Sequence, residues 1–175
     1  MSEIRSWFDR NDDFISIVLL LRQPRKIGET VLREAAERAW NVKLETGEKA
    51  QNFVVVNAMV RFVKIHGHFF QVLTAARPYI TDVEFAVALA SDELVKTAII
   101  AHKAWLSVDY ITSRNSQLSE DARYAATGKL IAELVDETCL AICVPDKDLI
   151  VPATPTATKI LRNMKTAGDL ADALH

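Results

Sequence analysis

The stretch Phe14–Gln23, FISIVLLLRQ, constrains this chain more than any other. It is nearly unbroken in apolar character, rich in branched side chains, and interrupted early only by Ser16. A strand sends alternate side chains to opposite faces, so a run with no polar beat belongs in the middle of a sheet, buried on both faces. Pro24 ends it, because proline has no amide to give to a ladder.

The segments that follow alternate between helix and strand signals. Glu29–Trp40 carries Val31, Leu32, Ala35, Ala36, Ala39 and Trp40 on one stripe, which predicts a helix with Gly28 as its cap. Phe53–Asn57, Met59–Ile65 and Phe69–Ala75 read as strands, with a tight hairpin at His66-Gly67 where glycine supplies a positive φ. Thr81-Asp82-Val83-Glu84 is a capping-box pattern that starts a helix running to about Ala90. Ala101–Thr112 reads as a strand. Ser119 caps a helix to about Glu137, and Leu140–Val144 and Leu149–Val151 are short strands. Thr154-Pro155 opens a last helix to about Ala173.

This order predicts an α+β fold, with a mixed or largely antiparallel sheet covered by helices. Residues 1–12 read as an N-terminal arm anchored by Trp7 and Phe8, and residues 13–175 as a single domain. Two ferredoxin-like halves, 13–78 and 79–175, are compatible with the element order, although no residue-level repeat relates them.

The richest chemistry lies in Val95–Thr112, which holds His102, Lys103, Trp105, Ser107 and Asp109. Strand periodicity splits them. His102, Leu106 and Val108 share one face; Lys103, Trp105, Ser107 and Asp109 share the other. Lys103 and Asp109 are then separated by roughly 20 Å at ~3.3 Å per residue, so they do not pair within the strand. A hydrolase-like or metal-assisted enzyme would need His102 with Lys103 or Asp109 and groups from elsewhere. The plainer expectation is a satisfied histidine at the strand's start. Trp105 marks either a covered second face or a binding surface.

His66 and His68 flank Gly67 and form an H-x-H pair, which offers two imidazoles to a metal but lacks a third ligand in sequence. The plain reading is a hairpin tip with exposed histidines, and no cofactor is expected. Cys139 and Cys143 read as buried small hydrophobes and reduced thiols, which suits a cytoplasmic protein. With five glycines in the chain there is no phosphate-cradling loop and no dinucleotide fingerprint. The net charge of −2 is spread along the chain, so no basic stripe invites nucleic acid. No apolar run approaches the ~18 residues of a membrane span.

Ala101-His102-Lys103-Ala104-Trp105-Leu106-Ser107-Val108, together with Val72–Tyr79 ending in Arg77-Pro78 and the later Leu140-Ala141-Ile142-Cys143-Val144, resembles the uncharacterised bacterial family called domain of unknown function 4261. The resemblance covers roughly Ile15 to Pro152. It implies an α+β fold and carries no activity or catalytic residue with it. The functional expectation is a binding or protein-interaction module that self-associates as a homodimer, with a protein or small-molecule partner. A small enzyme built on His102 and a ligand sensor with a pocket between sheet and helices are the alternatives.

Overall fold

The computed structural model describes residues 15–47, 49–111 and 117–174. The arm at residues 1–12, with Trp7 and Phe8, lies outside the described residues, as do Thr112 and His175. Seven strands form one sheet: β1 (Ile15–Leu21), β2 (Phe53–Val56), β3 (Arg61–Ile65), β4 (His68–Ala75), β5 (Ala104–Tyr110), β6 (Cys139–Val144) and β7 (Leu149–Pro152). Their spatial order is β2-β3-β4-β5-β1-β6-β7, and every neighbouring pair is antiparallel.

The strand read from Phe14–Gln23 is β1, and all seven of its residues are buried. It sits between β5 and β6, which therefore run parallel to each other on either side of it. This placement means that the sheet does not divide at residues 78 and 79. Strand β4 pairs with β5 across that boundary, and β1 is inserted among strands of the second half. The two halves share one sheet because the most apolar strand of the first has two uncovered edges, and strands of the second fill both.

Among the described residues five α-helices cover the sheet: α1 (Glu29–Trp40), α2 (Val83–Leu89), α3 (Glu93–Ala101), α4 (Glu120–Ala132) and α5 (Pro155–Asn163). Helices lie on both faces rather than one. Ile17, Leu19, Leu106 and Val108 pack with Leu32, Leu130, Ile131 and Leu161 from α1, α4 and α5. The alternate residues Val18, Leu20, Ala141 and Cys143 pack with Val95, Ala98 and Ile99 of α3. Fully burying each of these Leu, Ile and Val side chains is worth ~1.5–3 kcal/mol, and it organises the sheet into a three-layer sandwich.

Local signals set most element ends. The turn at His66 and Gly67 has φ of 49° and 81°, so both central residues are left-handed, as a two-residue hairpin of this twist requires. Ser119 accepts from the Ala122 amide and starts α4. Thr154 accepts from the Ala157 amide at 3.1 Å and Pro155 opens α5. Removing that cap by Thr154→Ala is expected to lower stability by about 1 kcal/mol in urea unfolding, because one buried-side amide loses its acceptor.

Three helix boundaries differ from the sequence expectation. The cap of α2 is Asp82, not Thr81; its carboxylate takes the Phe85 amide at 3.1 Å. Helix α4 stops at Ala132 and does not reach Glu137. The last helix breaks at Met164 and resumes as 3-10 turns over Ala167–Leu174. The larger difference is α3, which takes Glu93–Ala101, so β5 begins at Ala104 and the apolar Val95–Ile100 run is helical.

Candidate functional site

Helices α2 and α3 form a hairpin over the face of the sheet that carries Val18, Leu20 and Trp105. Each is started by an aspartate: Asp82 caps α2, and Asp92 takes the Val95 amide at 2.9 Å to cap α3. Ala90, with extended backbone, separates them. Helix α2 reads VEFAVAL, six apolar residues around a single glutamate, yet none of its side chains is fully buried. Its main packing partner is α3, and Val83, Ala86 and Val87 lie half-buried against the cluster that includes Val18 and Leu20.

The space that α2 leaves beneath it is a cavity of about 230 Å³. Phe85, Ala86 and Leu89 roof it, Val95 and Ile99 of α3 form one wall, and Cys143 and Ile150 of β6 and β7 form the floor. Ile80 and Leu174 also line it. Ser91, Asp92 and Asp148 provide the polar lining, and no lysine, arginine or histidine among the described residues lines it. Burial pushes the Cys143 thiol up to about 12, with the Asp148 carboxylate adding to the effect. Cys143 is thus a neutral thiol at physiological pH and serves as an apolar wall, not a nucleophile.

His102 lies directly behind this cavity. It is the C-cap of α3 and not a strand residue. Its Nδ1 meets the Ile99 carbonyl at 2.7 Å, and its Nε2 accepts from the amides of Tyr79 at 3.1 Å and Ile80 at 3.2 Å. Both ring nitrogens are engaged with main chain, and burial holds the imidazole below the ordinary histidine range. Such a ring has no nitrogen left for a substrate.

The other residues singled out from the sequence do not converge on it. Lys103 is exposed, and its amide donates to the Leu21 carbonyl. Asp109 is buried in the middle of the sheet, where its carboxylate accepts from the Ser16 hydroxyl at 2.6 Å. Trp105 is half-buried and packs edge-on against Tyr79, with ring centres 5.4 Å apart, on the face of the sheet beneath α3. His66 is exposed in the left-handed turn, whereas His68 turns inward. The His68 Nδ1 lies 3.0 Å from the Tyr110 hydroxyl, and its ring meets those of Trp40 and Phe70. Burial, then the charges of His66 and Lys129, lower its proton affinity. The H-x-H pair is therefore parted, one ring in water and one half-buried against Trp40, Phe70 and Tyr110. Among the described residues, no group of three or more His, Cys, Asp or Glu side chains is placed to hold a metal ion.

Of the cavity's lining, the sequence marked Cys143 as a buried small hydrophobe and Ile150 as part of a short strand, but it did not bring them together with α2 and α3. Asp92-Glu93-Leu94 followed by Val95, Ala98 and Ile99 is a cap with an i, i+3, i+4 stripe, a signal that marks α3 when it is read before the strand-like composition. No family model, curated protein or solved structure matches the chain. Among the described residues no helix is long and apolar enough to cross a membrane.

Proposed function

We propose that this protein is a binding module that holds a small, mainly apolar molecule between the α2–α3 hairpin and the β6–β7 edge of the sheet. One observation carries the reading: an apolar helix with no buried side chain stands over a cavity of about 230 Å³. Six apolar residues on a seven-residue helix are costly to leave half in water unless something fills the space beneath. An apolar cavity of about 150 Å³ takes benzene, so this one suits a group of roughly nine heavy atoms, such as an indole ring or an octyl chain. Asp92 and Asp148 at the lining, with no cation opposite, favour a neutral or cationic end over a carboxylate.

At ~0.6 kcal/mol per heavy atom such a ligand binds with a Kd of roughly 40–200 μM. Saturating 1-octanol or indole at ten times Kd is expected to add about 1.4 kcal/mol of stability and raise Tm by about 3–6 °C. Octanoate should give a smaller shift. Ala86→Phe places a ring into the cavity from its roof and is expected to abolish the shift without unfolding the protein. An equal shift in that variant, or none in the wild type, would overturn the reading.

A second reading, self-association, is favoured by three large apolar side chains left in water on the same hairpin: Leu89, Leu94 and Ile100, at 54, 61 and 65% exposure. Light scattering at millimolar protein that returns only monomer mass would sink it.

A further inference from the structure

We infer that His102 is the positioning residue of the cavity, and that its neutral form holds the cavity in its binding shape. The inference rests on the reading of the cavity as a site for a small apolar molecule. Ile80 and Ile99 both line that cavity. The imidazole joins them from behind, at 2.7 Å to the Ile99 carbonyl and 3.2 Å to the Ile80 amide, with the Tyr79 amide sharing the same acceptor. One ring nitrogen donates and the other accepts, which only the neutral tautomer does.

A proton added at Nε2 turns the acceptor into a donor that faces two donors. The ring is 3% exposed, so bulk water is not at hand to take over the two amides. The Tyr79–Ile80 segment then loses its anchor on α3, and Ile80 leaves the cavity wall. No charged side chain offsets this by favouring the imidazolium. The ionisable groups on the surrounding elements are Arg22 after β1, Arg77, Tyr79 and Asp82 before α2, Glu84 on α2, Asp92 at the cap of α3 with Glu93 and Lys96 on it, Lys103 before β5 and the neutral thiol of Cys143 on β6. Arg77, Asp82, Glu93 and Lys103 are exposed, and Lys96 is paired with Glu93 at 2.6 Å.

The test is calorimetric titration of 1-octanol, a probe with no titratable group, into the whole protein at pH 7.5, 6.0 and 5.0. Linkage to one proton changes affinity by at most about tenfold per pH unit, so binding is expected to be roughly three- to tenfold weaker at pH 5.0 than at pH 7.5. His102→Gln keeps an amide oxygen as acceptor but does not titrate; it is expected to bind at pH 7.5 and to show a flat profile. His68→Phe, on the opposite face of the sheet, is expected to keep the wild-type slope. A flat wild-type profile, a sloping one in His102→Gln, or a slope lost with His68 each overturns the role of His102. If octanol binds at pH 7.5 with a flat profile, the cavity reading stands and only this inference fails; if it does not bind at pH 7.5, both fail. Should the glutamine variant not fold, nitrogen NMR of the wild-type ring decides. Saturating octanol is expected to lower the His102 pKa, and an unchanged value overturns the inference.

Discussion

Replacing His102 by alanine is expected to cost about 3–4 kcal/mol of unfolding free energy at pH 7.5, read from urea unfolding, and to lower Tm by about 10 °C. Three main-chain groups lose their partner at once: the amides of Tyr79 and Ile80 and the carbonyl of Ile99. Each buried group left unpaired costs about 1–3 kcal/mol, so three sum to about 3–9 kcal/mol, and partial relaxation of the loop brings the total to the lower end of that sum. The effect also depends on pH. Burial lowers the proton affinity of the folded ring, so below the ordinary histidine range the unfolded chain binds more protons than the folded one. Acid therefore favours unfolding. The full contribution is present above pH ~6.5 and is lost as pH falls through the lower folded pKa, at no more than about 1.4 kcal/mol per pH unit. The gap between wild type and His102→Ala should narrow on acidification. Some acid sensitivity will persist in the variant, because burial lowers His68 in the same direction.

The second large effect is expected at Gly128. A Cβ there would lie 2.6 Å from Cε of Met164 and 2.7 Å from the Leu161 carbonyl oxygen. Alanine in place of glycine inside a helix gains about 1 kcal/mol in helix propensity. Overpacking a tight helix contact costs about 1–3 kcal/mol, and here one of the two clashing atoms is main chain and yields only if α5 moves. The clash wins, and Gly128→Ala is expected to destabilise by about 1 kcal/mol net, and by no more than about 2 kcal/mol, in urea unfolding. Met164→Ala in the same chain should recover only part of the loss, because the Leu161 carbonyl remains. Full recovery would show that the methionine alone sets the contact.

Legibility in the sequence followed the range of the interactions. Strand β1 was legible because seven consecutive buried residues leave a mark that needs no partner to be seen. Helix α1 was legible to its ends, since stripe and cap position are both local. Helix α3 was not. Exposed Leu94 and Ile100 blur its stripe, and Val95, Ile99 and Ile100 carry a strand-like composition that tertiary packing overrode. His102 was legible as a satisfied histidine but not for what satisfies it, since two of its three partners lie 22 and 23 positions earlier in a loop and the third, the Ile99 carbonyl, depends on α3 being a helix. The cavity was hidden for a related reason. It is lined by residues from Ile80 to Leu174, and its roof is a short helix whose apolar residues fit no stripe.

The place of β1 also sets a clock on the making of the protein. Its Ser16 meets Asp109, which comes 93 positions later. At a synthesis rate of roughly 5–20 residues per second, that partner emerges on the order of 5–20 s after Ser16. The strands that flank β1 on both edges are β5 and β6, so through that interval Ile15–Leu21 has neither sheet neighbour available. Residues that end as the most hidden in the fold are, during synthesis, an unpaired apolar edge of the sort that chaperones hold.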